Sequence, residues 1–278
     1  MMFDIHLADA IISQALAEDI GSGDITTLST VDESMTITGS FIAKEAVILC
    51  GLPVVVRVFE KVDPSITLEL HFSDGASVEK GTVIAGIRGP ARGILLGERV
   101  ALNLLQHMSG IASQTRRAVD SVAGTQARIV DTRKTTPGLR VLEKYAVRVG
   151  GGFNHRFNLS DGILIKDNHI KAAGGITKVI EGARRFAPHT LKIEVEVEDF
   201  AQVEEALAAS ADIIMLDNMS VENMTVAVKM INGRALVEAS GNMGDKDLHQ
   251  VALTGVDLIS IGALTHSVRA ADISLNFI

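Results

Sequence analysis

Apolar positions recur at two rhythms along this chain. Ile5, Ala8, Ile12, Ala15 and Leu16 repeat at helical spacing and predict a helix over residues 4–18. The acidic, glycine-broken segment Glu18-Asp19-Ile20-Gly21-Ser22-Gly23-Asp24 stops it. Its oxygen spacing does not follow an EF-hand loop, so it reads as a structural turn. Between Thr36 and Ile87, β-type runs (Thr36 to Ala43, Val47 to Cys50, Ile66 to Phe72, Thr82 to Ile87) alternate with turns at Asp74-Gly75 and Lys80-Gly81. A helix over Leu52 to Lys61 interrupts them. This is the pattern of an α+β layer domain with an antiparallel sheet, and nothing in it looks catalytic. After Gly89-Pro90, Ala101, Leu104, Leu105, Met108, Ile111 and Ala112 form the apolar stripe of a long helix, roughly Leu95 to Val122. Arg99 lies off that stripe and, read alone, is a solvated surface charge.

Beyond this helix the rhythm changes. Strand-length apolar runs recur at Ala127 to Val130, Ile163 to Ile165, Ile193 to Val197, Ile213 to Leu216, Leu236 to Ala239 and Leu258 to Ile261, each followed by a helix-like segment. Asp199 with Gln202, and Ser220 ahead of Val221, Met224, Val228 and Ile231, mark helix starts. Near-continuous apolar strands suit a parallel sheet covered by helices. No GxGxxG follows the first strand, which argues against a dinucleotide-binding sheet. Every strand is followed by polar residues: Asp131-Thr132-Arg133-Lys134, Lys166-Asp167-Asn168-His169, Glu196 with Glu198, Asp217-Asn218, Ser240-Gly241-Asn242, and Gly262 with Thr265-His266. A β/α barrel gathers all such ends on one face, whereas an open sheet spreads them along an edge. The sequence therefore predicts a barrel.

Charge sharpens this picture. The 278-residue chain has a net charge of -8. Residues 128–171 carry nine Lys and Arg against four acids, a net +5, which leaves about -13 for the remainder. The bases stand at strand ends and beside the glycine turns Pro137-Gly138 and Gly150-Gly151-Gly152, where they can converge on a ligand. With no Trp and one Tyr the chain does not look like a nucleic-acid binder, so the expected ligand is small and multiply anionic. Apolar content of 47% with 4% aromatics favours aliphatic α/β layers. The single cysteine, Cys50, excludes an internal disulfide and a cysteine metal cluster, and reads as a buried hydrophobe. Neither a signal peptide nor a membrane span is visible, so a cytoplasmic protein without membrane or nucleic-acid partners is expected.

Three subsites follow. Arg133, Lys134, His155, Arg156 and Lys166 form a cationic pocket for at least two anionic groups. Glu196 and Asp217 offer oxygen ligands suited to Mg²⁺ or Mn²⁺. Ser240-Gly241-Asn242 and Gly262-Ala263-Leu264 lie in the last two βα loops, where barrels often bind phosphate. Lys166 could also form a Schiff base, and residues alone leave that alternative open.

The stretches DTRKTTPGLRVLEKYAV, GGGFNHRFNLSDGILIKDNHI, IEVEVE, LDN, EASGN and IGALTHS closely resemble the quinolinate phosphoribosyltransferase family, as do EDIGSGDITT and GPARGILLGERVALNLLQHMSGIA upstream. The resemblance implies an α/β sandwich domain over residues 1–110, joined by 270–278, and an incomplete seven-stranded β/α barrel over 111–269. Six strands are evident and the seventh is not placed. It implies quinolinate and phosphoribosyl pyrophosphate as substrates, Mg²⁺ as cofactor, and nicotinate mononucleotide, CO2 and pyrophosphate as products. It further implies a homo-oligomer, at least a dimer, in which Arg99 enters the neighbour's site; this reverses its reading as a surface charge. By the same motifs Arg133, His155, Arg156 and Lys166 hold the quinolinate carboxylates, and Lys134, Glu196 and Asp217 handle Mg²⁺ and phosphoribosyl pyrophosphate. Ser240, Gly241, Asn242, Gly262, Ala263 and His266 take phosphate, and Lys134, Lys166, Glu196 and Asp217 carry the catalysis. Asn242 stands where some relatives have a third small residue. Two other readings are a relative of the same fold acting on another acid, and a ligand-binding protein that kept the scaffold.

Overall fold

The computed structural model describes residues 4–278. A 3-10 turn over Ile5–Ala8, started by the Asp4 side chain accepting the His6 N–H, precedes α1 (Asp9–Ile20). Gly21 ends α1, and the Asp24 carboxylate accepts the Thr27 N–H at 3.0 Å to cap α2 (Ile25–Thr30). The acidic segment is thus a turn between two helices. In chain order there follow β1 (Thr36–Ala43), β2 (Val47–Ile48), α3 (Leu52–Val62), β3 (Thr67–Leu70), β4 (Ser77–Val78), β5 (Val83–Pro90) and α4 (Ala91–Ser121). The βα alternation then begins with β6 (Arg128–Val130), α5 (Arg140–Val149), β7 (Ile163–Ile165), α6 (Asp167–Ala173) and α7 (Ile176–Phe186). It continues through β8 (Ile193–Val197), α8 (Phe200–Ala208), β9 (Ile213–Asp217), α9 (Val221–Ile231), β10 (Leu236–Ser240) and α10 (Leu248–Leu253). The last elements are β11 (Leu258–Ser260), α11 (Ala263–His266) and β12 (Ile273–Phe277).

The chain forms two compact units. The first comprises residues up to Arg116, Thr136–Gly151 and Val268–Ile278; the second comprises Arg117–Thr135 and Gly152–Ser267. The sequence reading joins 270–278 to residues 1–110, and the first unit also takes in Thr136–Gly151. In the first unit the strand order is β12-β1-β5-β3, all antiparallel, with β2 and β4 as a separate pair. Residues from the chain's end therefore complete this sheet, Leu275 standing opposite Phe41. Phe41, Phe59, Ile84, Ile87, Leu105 and Met108 are fully buried within this unit. Burial of this much aliphatic and aromatic area, at about 25 cal/mol per Å², is its main source of stability. Asp74 accepts from the Gly51 and Leu52 N–H groups at the start of α3 and from the Tyr145 hydroxyl at 2.9 Å, which ties α5 into the unit.

In the second unit six parallel strands run in the order β6-β11-β10-β9-β8-β7. All six sit where the apolar runs predict them, within one residue at each end. The unplaced seventh is reduced to one parallel bridge, Val130 with Phe153: the Phe153 N–H donates to Ile129 O at 2.8 Å and the Asp131 N–H to Phe153 O at 3.1 Å. Glycines precede Phe153 and polar residues follow it, so no apolar run announces this strand. Asp199 and Ser220 cap α8 and α9 as expected, accepting from Gln202 N–H and Asn223 N–H. Among the described residues no helix is long and apolar enough to cross a membrane.

Candidate active site

Side chains alternate across a strand, so β8, Ile-Glu-Val-Glu-Val, turns three aliphatics to one side and Glu194 and Glu196 to the other. Ile193, Val195 and Val197 are buried beneath the covering helices. The same alternation carries Met215 and Asp217 on β9, and Glu238 and Ser240 on β10. Register aligns Ser240 with Asp217. Asp217 and Ser240 thus stand together at the strand ends with the Glu196 charge acting on Asp217, while Glu194 and Glu238 meet at His155.

The cationic wall is built on Asp131, which is fully buried at the end of β6. Its Oδ1 accepts the His155 N–H at 2.8 Å and its Oδ2 the Asn154 amide at 2.6 Å, fixing the segment after Phe153. His155 is engaged at both ring nitrogens: Nδ1 accepts the Arg156 N–H at 2.8 Å, and Nε2 lies 3.1 Å from Glu194 Oε2 and 3.8 Å from Glu238 Oε1. Arg156 donates from Nη1 to Gly162 O at 3.1 Å. Burial, and then the neighbouring Arg133 guanidinium, hold the Arg156 pKa below its ordinary value. Two neighbouring, partly desolvated guanidiniums favour a bound anion.

Lys166 follows β7, half exposed, and its Nζ donates to Glu196 Oε2 at 2.8 Å. Burial and the Glu196 carboxylate push the Asp217 carboxyl up, opposed by Lys166. Asn218 donates to Asp217 Oδ2 at 2.7 Å. Lys134 lies against the loop after β11. Its carbonyl accepts the Thr265 hydroxyl at 2.7 Å, and a Cβ on Gly262 would meet Lys134 Cδ at 3.0 Å and His266 Cδ2 at 3.1 Å. Lys134, Gly262 and His266 therefore form one wall. Gly241, at φ +93°, has no room for a side chain: an added Cβ would lie 2.3 Å from Asn218 Oδ1. Asn242, also at positive φ, is exposed on the same loop. Ala263 opens the short α11, and Arg99 is exposed on α4.

Two groups of acids invite a metal. His155, Glu194 and Glu238 have ligand atoms within 4.8 Å of one another. However, His155 Nδ1 accepts a backbone N–H, so Nε2 carries the ring proton and has no lone pair for an ion. Glu196 and Asp217 fit better. They are oxygen donors at the strand ends, and the Asp217 carboxyl is pushed up first by burial and then by the Glu196 charge, both of which a bound hard cation would offset. The sequence reading overlooked Glu194 and Glu238. The signal available was the Glu–aliphatic alternation inside a strand whose neighbours are aliphatic.

A β/α-barrel unit with cations, acids and glycine turns gathered at its strand ends defines a protein built to bind multiply anionic small molecules. The family description "Quinolinate phosphoribosyl transferase, N-terminal domain" matches residues 24–109, and "Quinolinate phosphoribosyl transferase, C-terminal domain" matches residues 111–276. A Bacillus subtilis (strain 168) protein named "Probable nicotinate-nucleotide pyrophosphorylase [carboxylating]" is 46% identical over 266 residues, 96% of this chain and 92% of that one. "Quinolinate phosphoribosyltransferase [decarboxylating] 1b" of Nicotiana tabacum is 42% identical over 284 residues, covering 95% of this chain and 81% of the relative. The crystal structure of NadC from Streptococcus pyogenes superposes with a TM-score of 0.94 at 45% identity, covering 100% of this chain and 99% of that chain. The chain belongs to the quinolinate phosphoribosyltransferase family.

Proposed function

We propose that the strand-end face of the barrel holds quinolinate and phosphoribosyl pyrophosphate side by side, with the three groups of residues dividing the work. The reaction is the family's: phosphoribosyl passes from phosphoribosyl pyrophosphate to quinolinate with decarboxylation, giving nicotinate mononucleotide, CO2 and pyrophosphate in NAD biosynthesis. Arg133, Arg156 and Lys166 receive the two carboxylates, with His155 beside Arg156. Ser240, Gly241, Asn242, Gly262, Ala263 and His266 seat the phosphate, and Lys134 lies beside them on the pyrophosphate side. Glu196 and Asp217 hold Mg²⁺. When bound, Mg²⁺ neutralises charge on the departing pyrophosphate. The observation that carries the reading is the partly buried Arg156 guanidinium, held below its ordinary pKa by burial and then by the neighbouring Arg133, at a place where a substrate carboxylate would be stabilised.

The ring nitrogen forms a bond to the ribose carbon as the bond to pyrophosphate breaks, through an oxocarbenium-like state. Fixed cations orient the ring for this attack and cost no reorganisation when it occurs. The nitrogen, now cationic, accepts the electron pair left when the adjacent carboxylate departs as CO2. Lys166 is paired with a carboxylate and half exposed, the opposite of the desolvated setting that activates a Schiff-base lysine. Arg99 of a neighbouring copy completes the site in a homo-oligomer, at least a dimer. The site of action is the cytoplasm.

The reading is tested by replacing Arg133 and Arg156 singly with Ala. Loss of a bidentate charged contact raises the quinolinate KM about tenfold or more and changes the phosphoribosyl pyrophosphate KM much less. Equal changes in both constants would contradict the assignment.

A further inference from the structure

Beneath the cationic wall lies a set of buried acids that substrate cannot reach. Glu194 and Glu238 are 5% and 1% exposed, and Asp131 is fully buried. Each makes a contact that converges on one residue, His155. Asp131 Oδ1 holds its backbone N–H at 2.8 Å, Glu194 Oε2 holds ring Nε2 at 3.1 Å, and Glu238 Oε1 stands 3.8 Å from the same nitrogen. The remaining ring nitrogen accepts the Arg156 N–H. A neutral imidazole has one donor and one acceptor, and here both are committed to the protein.

We propose that Asp131 and Glu194, the latter backed by Glu238, are positioning residues that clamp His155 as a neutral Nε2–H strut and thereby aim Arg156 at a substrate carboxylate. His155 then serves quinolinate through Arg156 and not through charge of its own. The inference rests on the function proposed above and refines how its cationic wall is held.

The acid pair is consistent with this role. Glu194 Oε1 and Glu238 Oε1 are buried without a hydrogen-bond partner among the described residues. The Glu194 carboxyl lies under the wall. It faces the Nε2–H of His155 and lies close enough to Arg156 to oppose the effect of Arg133 on it. A barrel interior of Leu or Met at these two positions would pack as well and would leave the His155 N–H orphaned. Glu194 and Glu238 carry more polarity than packing needs, and His155 accounts for it.

The test combines two measurements on the full chain. With ¹⁵N-labelled histidine, the unmodified protein shows His155 unprotonated at Nδ1 and protonated at Nε2 at neutral pH. An Nδ1–H tautomer or a doubly protonated ring overturns the proposal, and this reading needs no variant to fold. In steady state, Glu194→Leu raises the quinolinate KM about tenfold or more, since it orphans a buried donor. The phosphoribosyl pyrophosphate KM stays within about twofold, because its ligands lie elsewhere on the face. Glu194→Gln, which retains an oxygen to accept the Nε2–H, restores most of the quinolinate KM. Equal changes in both constants, or a Gln variant no better than Leu, overturn the proposal. Failure of the unmodified protein to turn over quinolinate would instead overturn the underlying function, while the ring tautomer still decides whether His155 is a neutral strut.

Discussion

Lys166 Nζ and Glu196 Oε2 stand 2.8 Å apart, joining the end of β7 to the end of β8 across the mouth of the barrel. The pair is half exposed on the lysine side, so its contribution to stability is small, about 0–1 kcal/mol. Its importance is in the site, where one partner is assigned to a carboxylate and the other to Mg²⁺. Glu196→Ala is expected to lower kcat by about 10²-fold, the scale of removing one preorganised electrostatic group. It also weakens the Mg²⁺ dependence of turnover. Initial rates across a Mg²⁺ titration check this, and an unchanged dependence removes Glu196 from the metal role.

Asp217 gives a pH signature. Its folded pKa is raised by burial and by Glu196, so protons bind the folded state more tightly than the unfolded one. The stability this supplies is complete below the unfolded value, near 3.9, and is lost as pH rises through the folded value. Asp217→Asn removes the loss. The variant is expected to melt higher than the parent at pH 8 without Mg²⁺, to converge with it as pH falls, and to have little activity. Thermal melts at several pH values measure the gap; a gap that widens on acidification has the wrong sign.

Gly241 sits where an added methyl would collide with Asn218 Oδ1 at 2.3 Å, and its φ of +93° penalises any side chain. Gly241→Ala is expected to cost about 1–3 kcal/mol. Because the loop follows β10 in the proposed phosphate seat, the phosphoribosyl pyrophosphate KM rises more than the quinolinate KM. Melting and the two constants, measured together, test both effects.

The N-cap of α2 offers a control within the first unit. Asp24 accepts from the Thr27 N–H and is also bonded to the Thr27 hydroxyl. Asp24→Ala should lower stability by about 1 kcal/mol while leaving both KM values unchanged. A shift in either constant would give the turn a role in the site.

These residues show what the sequence reveals and what it hides. Runs such as Ile213 to Leu216 and Leu258 to Ile261 are strands in any parallel sheet, because two covered faces demand aliphatics at every position. Polar residues after each run then mark the functional face. Phe153 escaped notice because a strand reduced to one bridge between Gly152 and Asn154 has no periodicity to detect. Glu194 and Glu238 were hidden for a different reason. Within an apolar run a glutamate looks like an interruption, and only the pleat shows that it faces the barrel interior with a histidine to meet it. The N-terminal helix was legible in place but not in type, since Asp4 starts a 3-10 turn before α1 begins at Asp9. Return of β12 to the first sheet follows from pairing with β1 and not from any local pattern in Ile273–Phe277.

Arg99 tests the proposed sharing of sites between copies. It is exposed on α4. At quinolinate concentrations well below saturation, Arg99→Ala and Arg133→Ala should each lose most of the activity alone. Mixed and allowed to exchange subunits, they should recover part of the activity through sites that take both arginines intact. Proven mixed oligomers without recovery would refute the shared site.

The most direct test of the central claim is product formation from phosphoribosyl pyrophosphate and Mg²⁺ with quinolinate and nicotinate offered as competing acids. The paired arginines predict nicotinate mononucleotide and CO2 from quinolinate, with nicotinate left unused because it lacks the second carboxylate. Turnover of nicotinate but not quinolinate would contradict the account of the cationic wall.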